Sequence, residues 1–198
     1  MRGSPAGVVL LLLGLSLSAH AGPLTLTCQG SLATAIGTDG DDEIAGTPLD
    51  DVIVARGGND IVEGGGGQDT ICGGPGTDSL HGGPGLDLLI GGGGDDSIYG
   101  GRGDDTLEGG KGRDIIYGDR GNDRIRGGPG EDALLGLAGS DVLLGGARFD
   151  ILRGFKGHDN LSGGGGTDLL DGGPGNDRTD GGDGRDSCIR AEQKVSCE

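Results

Sequence analysis

From Gly37 to Ile189 the chain divides, without one insertion, into 17 consecutive units of nine residues. The unit Gly91, Gly92, Gly93, Gly94, Asp95, Asp96, Ser97, Ile98, Tyr99 shows the pattern G-G-x-G-x-D-x-U-x, with U a large aliphatic residue. The sixth position is Asp in all 17 units: Asp42, Asp51, Asp60, Asp69, Asp78, Asp87, Asp96, Asp105, Asp114, Asp123, Asp132, Asp141, Asp150, Asp159, Asp168, Asp177 and Asp186. Gly holds the first position in 16 units and the fourth in 15; the eighth is Val, Ile or Leu in 15, failing only at Thr179 and Cys188. A period this short cannot enclose a core within one unit, so the units have to stack on one another. The repeat also accounts for 51 Gly beside two Phe, two Tyr and no Trp, a composition foreign to an ordinary globular core.

Each unit has two halves. The first six positions are rich in residues that tolerate positive φ and leave backbone carbonyls exposed, which predicts a tight turn. The last three alternate around one aliphatic side chain, the pattern of a very short strand with one side inward. Two units then form one flattened coil of turn, strand, turn, strand. Coils stacked at the usual strand spacing of roughly 4.8 Å give a rod on the order of 40 Å long. Inward residues such as Ile44, Val62, Leu80 and Ile98 form a narrow core. Stacking also sets Asp over Asp, with Asp42, Asp60, Asp78 and Asp96 opening one column and Asp51, Asp69, Asp87 and Asp105 the other. Like charges at that spacing repel, and so thin a core does not offset the entropy of ordering so much glycine. The stack needs another stabiliser.

The nonapeptide resembles the RTX, or haemolysin-type calcium-binding, repeats, and the resemblance covers about three quarters of the chain. It implies an all-β, right-handed parallel β-roll with two short-strand sheets and Ca2+ held in the turns, the 17 motif Asp being the metal ligands. Elementary chemistry agrees. Calcium takes roughly six to eight oxygens, and two stacked turns offer carboxylates and carbonyls, whereas magnesium demands a strict octahedron and gives up water reluctantly. Acidic residues number 32 and basic ones 15, so the 17 motif Asp account for the entire net charge of −17. Neighbouring pairs within the two columns set a ceiling of 15 ions. Leu49 and Arg148 replace the fourth Gly, Ala55 a first Gly, and Leu137 and Phe155 second Gly residues. The turns at Asp51 and Asp150 are therefore expected to be the weakest. RTX relatives are usually C-terminal segments of toxins, proteases or lipases that fold in external calcium. This sequence has no catalytic domain of that kind, and toxin or protease activity is not expected of it.

Outside the repeat, Met1-Arg2 begin a leader whose apolar run, Val8 to Leu17, precedes the small-x-small site Ala19-His20-Ala21. The run is too short to span a membrane comfortably. The expected organisation is a signal peptide at 1–21, an N-terminal cap at 22–36, the β-roll at 37–189 and a C-terminal cap at 190–198, with an extracellular location. Four Cys in an exported chain predict disulfides, with three possible pairings. The nine-residue spacing of Cys188 and Cys197 favours a local bridge, which leaves Cys28 to pair with Cys72. Zinc is the competing reading, but there is no C-x-x-C and His81 and His158 are distant in sequence.

Other functions find little support. Gly64 to Gly67 resembles a phosphate loop but no Gly-Lys-Ser/Thr follows. Collagen fails because the seventh position is never Gly, and an EF-hand lacks its 12-residue ligand spacing. No residues suggest a catalytic triad, so an enzyme is not expected. The acidic columns argue against nucleic acid as a partner. An ice-binding rod needs a regular outer array, and the fifth positions, among them Asp50, Asn59, Gln68, Thr77, Leu86 and Arg113, do not form one. Tyr99, Tyr117 and Leu135 should stack on one strand face, beside a column of Ile115, Ala133, Ile151 and Leu169. That face could serve a protein partner or self-association. Two functions follow: calcium binding with folding conditional on the ion, or a calcium-stiffened surface or matrix scaffold for interaction and adhesion.

Overall fold

The structure, a computed structural model, describes residues 26–197 together with the backbone of 7–9. Among these residues there are strands, turns and loops but no helix, and so none long and apolar enough to cross a membrane. The nine strands beginning in odd units, with Gly7–Val9, form one ten-stranded parallel sheet, and the eight beginning in even units, with Ala35–Ile36 and Gln193–Val195, form a second. Every repeat strand pairs with the strand two units away: Ile98 lies beside Ile116, Tyr99 beside Tyr117 and Leu89 beside Leu107. The chain is a parallel β-solenoid of about nine coils, the β-roll anticipated from the repeat.

The strands are longer than the sequence suggested. Ser97–Arg102 is typical, with six residues running from the seventh position of one unit to the third of the next. Only the fourth to sixth positions remain as turn. The G-G-x backbone keeps its amides and carbonyls available for pairing, so the ladder continues through Gly101 beside Asp119 and Arg102 beside Arg120. Within a strand the eighth and first positions both point inward. At the first position of most units there is room only for hydrogen: a Cβ on Gly91 would stand 2.3 Å from Asp96 Oδ2 and 2.6 Å from the Gly109 carbonyl. Ala55 is the single side chain accommodated there, buried in the core.

Most second and fourth positions adopt positive φ, as at Gly92 (116°) and Gly94 (124°), the exceptions being Thr38, Gly40, Thr47, Leu49, Gly85 and Gly130. Arg56, Asp119, Leu137 and Phe155 at the second position and Arg148 at the fourth adopt the same region, with φ between 71° and 85°. Each such residue stores about 1–3 kcal/mol of strain that the stacked neighbours hold in place. The degraded units at Leu137, Arg148 and Phe155 therefore keep the turn conformation, whereas Leu49 does not adopt positive φ.

The eighth-position residues form the core. Ile44, Ile53, Val62, Ile71, Leu80, Leu89, Ile98 and their successors to Leu170 are at most 1 % exposed. Thr179 and Cys188 extend the two columns at the C-terminal end, Thr179 with a buried hydroxyl that lacks a hydrogen-bond partner. Disulfides join Cys28 to Cys72 and Cys188 to Cys197, the pairing expected, and leave no described Cys free for zinc. One strand is added beyond the repeat at each end: Ala35–Ile36 pairs with Ile53–Val54, and Gln193–Val195 with Arg178–Asp180. The expected signal peptide at 1–21 and its expected cleavage site lie outside the described residues except for Gly7–Val9. That backbone runs parallel to Asp42–Ile44 at the sheet edge.

On the outer face, His81, Tyr99 and Tyr117 stack with ring centroids 4.5 and 4.9 Å apart and planes within 4°. Leu135 follows in register, and Ile115, Ala133, Ile151 and Leu169 run alongside. The sequence placed the two Tyr and Leu135; His81 joins them from the ninth position of unit five.

The turn geometry yields a contrast between two glycines. A Cβ on Gly103, at φ 128°, would overlap the Gly85 carbonyl at 1.5 Å, whereas one on Gly93 meets nothing within 4 Å. Gly103→Ala should lower stability by roughly 3 kcal/mol or more. Gly93→Ala should leave it unchanged or raise it by up to about 1 kcal/mol. Thermal unfolding of the two variants measures the difference, and equal midpoints would contradict the stacked-turn geometry.

Candidate metal centre

The turns bring the motif Asp into two buried columns. The side chains are 0–5 % exposed from Asp42 to Asp186. Each coil is tied to the next by the same bond: the Asp78 amide donates to Asp96 Oδ1 at 2.9 Å, and the Asp96 amide donates to Asp114 Oδ1 at 2.9 Å. The bond recurs from Asp42–Asp60 through Asp168–Asp186 at similar lengths. One carboxylate oxygen is thus spent on the preceding coil. The other, Oδ2, is buried without a hydrogen-bond partner in 15 Asp, from Asp60 through Asp186. Asp150 behaves like the rest despite Arg148 in its turn.

Asp42 and Asp51 differ. Asp42 Oδ2 accepts the Thr38 amide at 2.5 Å and the Thr38 hydroxyl at 3.0 Å. Asp51 Oδ2 accepts the Thr47 amide at 2.7 Å and the Thr47 hydroxyl at 2.8 Å. Thr34 adds a hydroxyl bond to Asp51 Oδ1 at 3.1 Å. Sequence reasoning counted all 17 Asp as ligands and marked Asp51 as weak through Leu49, but it gave no such mark to Asp42; the further signal was Thr in place of Gly at the second position of the first two units.

A second ladder, unforeseen from the sequence, runs outside the first in the opposite direction. Here the backbone amide of a fifth-position residue donates to the fifth-position side chain two units earlier. Arg113 donates to Asp95, Asn122 to Asp104 and Ser140 to Asn122 at 2.7–2.9 Å, and the Asn176 amide donates to His158 Nδ1 at 3.0 Å. These side chains are occupied, unlike Oδ2 of the inner column.

A model of the RTX calcium-binding nonapeptide repeat matches residues 36–71, 73–107, 99–134, 135–170 and 154–188. The chain belongs to that family. No curated protein sequence matches it.

The residues of this RTX chain fit a hard cation. Beside most first-position glycines from Gly64 on, the orphaned Asp Oδ2 and the first-position carbonyl of the coil two units on approach the same point. A Cβ on Gly163, for example, would lie 2.4 Å from Asp168 Oδ2 and 2.6 Å from the Gly181 carbonyl. Among the described residues no three His, Cys, Asp or Glu gather into a metal-holding group. A site here must therefore draw on backbone carbonyls as well as carboxylates, the oxygen-only set that calcium accepts and zinc does not prefer.

The electrostatics of the RTX column point the same way. Burial pushes the carboxyls of Asp96, Asp105, Asp141 and Asp150 up to about 7 and those of Asp69, Asp78, Asp114 and Asp123 up to about 6. The amide bond from the preceding Asp opposes the shift, and neighbouring carboxylates of the column add to it, as Asp114 and Asp78 do for Asp96.

A pH dependence follows for the metal-free chain. With these pKa values raised above 3.8, the folded state holds protons that the unfolded chain has already released. Stability contributed by the protonated groups is present below about pH 4 and is lost as pH rises through about 7. In chelator, far-ultraviolet circular dichroism should show more β-structure at pH 5 than at pH 7.5. The reverse order would mean that the column ionises without penalty.

Proposed function

We propose that the chain is a secreted, non-catalytic calcium-ion-binding protein whose roll forms only with its ions. The 15 buried Oδ2 atoms without partners carry this reading. Asp60 through Asp186 would hold the ions through Oδ2, joined by first-position carbonyls of the coil two units on. Bound calcium supplies the positive charge that lets stacked carboxylates stay ionised out of water. Asp42 and Asp51 align with the columns, but Thr38 and Thr47 already occupy their Oδ2 atoms, so they act as hydrogen-bonded starts to the stack. Export is supported by the leader-like residues 1–21 and by two disulfides, which persist in oxidising compartments.

A second reading, a calcium-stiffened scaffold at a cell surface or in a matrix, is favoured by one observation. The stacked His81, Tyr99 and Tyr117 lie beside Ile115, which is 43 % exposed, on a flat sheet face. Both readings require the ions, so one experiment bears on both.

Chelated protein should be largely disordered at neutral pH, and millimolar calcium should restore β-type circular dichroism cooperatively, with magnesium far weaker. Asp96→Ala removes an acceptor from the buried Asp78 amide, at about 1–3 kcal/mol, and breaks a column in the middle. Its calcium titration should be broader or two-phased. Asp42→Ala should leave both the number of ions and the cooperativity close to those of the parent. Identical spectra with and without calcium, or equal effects of the two substitutions, would overturn the proposal.

A further inference from the structure

We propose that Arg190–Val195 is a shortened eighteenth unit and that Glu192 closes a calcium site with Asp177. This rests on the calcium reading above but concerns residues beyond the matched repeat. In a complete unit five steps lead from the first position to the motif carboxylate, as from Gly172 to Asp177. Here two steps lead from Arg190 to Glu192. The turn has lost three residues, and the longer Glu side chain restores part of the reach.

Four contacts that define a repeat are retained. The Asp177 amide donates to Glu192 Oε2 at 2.6 Å, the bond that elsewhere joins one motif Asp to the next. The Gln193 amide donates to the Asp177 carbonyl at 3.1 Å, as the Ser187 amide does to the Asp168 carbonyl at 2.8 Å. Gln193, Lys194 and Val195 pair in register with Arg178, Thr179 and Asp180. The Arg190 carbonyl stands where a first-position Gly carbonyl would: a Cβ on Gly172 would lie 2.4 Å from it and 2.8 Å from Asp177 Oδ2.

An acidic pair at a chain end is not a site in itself. The deciding observation is Asp177, 1 % exposed, whose Oδ2 has no partner and lies beside the Arg190 carbonyl. That oxygen is in the state of the other inner-column Asp, and Glu192 is the carboxylate that follows it. Other contacts hold the shortened turn in the missing residues' stead. The Arg190 guanidinium bonds both oxygens of Asp171, Lys194 Nζ donates to the Cys188 carbonyl at 2.8 Å, and the Cys188–Cys197 disulfide fastens the strand.

Native mass spectrometry of the calcium-loaded full chain tests the assignment. Glu192→Gln keeps an acceptor for the Asp177 amide but removes the charge. At calcium just sufficient to saturate the parent it should carry one ion fewer, with unchanged amide-exchange protection at 193–195. An unchanged ion count in Glu192→Gln would overturn the inference, as would a loss of protection without loss of an ion, which marks a purely structural role. Glu192→Ala should also lose one ion, and a normal count in it would overturn the inference independently. If the parent itself holds no calcium, the calcium reading fails instead, so the two failures are distinguishable.

Discussion

A buried carboxylate with one oxygen bonded and one oxygen bare, repeated at every coil, is the constraint on which the rest of this structure depends. The bonded oxygen fixes vertical alignment, because each Asp amide must meet the Asp side chain two units away. A strand slipped by one residue would turn the aliphatic column outward and separate those partners at once. The bare oxygen fixes the shape of the coil. It sits so close to the first position that only Gly is accommodated there with ease, while a Cβ at the second or fourth position, as at Gly92 and Gly94, would meet the backbone carbonyls of the preceding coil. The first-position glycines are thus a consequence of where the Asp oxygens lie, and those at the second and fourth positions of how closely the coils stack.

The same arrangement ties folding to a cation and to pH. The aliphatic core is one residue wide per strand and cannot by itself offset the ordering of a glycine-rich backbone together with a column of buried acids. Without a cation the column holds protons near neutral pH, as the raised pKa of Asp96 and Asp141 indicates. Calcium uptake should therefore release protons. The outer ladder makes the contrast plain. Asp95 and Asp104 are exposed, bonded to neighbouring backbone and, for Asp95, paired with Arg113, so nothing about them calls for an ion.

A stack of this kind also has two ends, and they are finished by different chemistry. At the N-terminal end Thr34, Thr38 and Thr47 satisfy the carboxylates with hydroxyl and amide bonds, while Cys28–Cys72 fastens a short hairpin to the strand of unit four. At the C-terminal end the chain supplies another acid, Glu192, beside an unsatisfied Asp177. The carboxylates at one terminus are satisfied by hydrogen bonds and that at the other is left like those of the interior.

Much of this was legible in the sequence. The nine-residue period names the inward residues, the two Asp columns and the strand neighbours two units apart, because a covalent repeat without insertions leaves the register no freedom. Even the stacking of Tyr99 on Tyr117 and the Cys28–Cys72 pairing follow from counting. Strand length did not follow, since G-G-x reads as turn from local preference, yet its backbone pairs once a neighbouring coil supplies partners for Gly101 and Arg102. The exclusion of Asp42 and Asp51 from the bare-oxygen set, the reversed outer ladder and the shortened unit at Arg190 were equally hidden. Periodicity reports which residues share a face. Which lone pair of a carboxylate is used, and by which amide, depends on how two turns close over one another, and only the tertiary structure decides that.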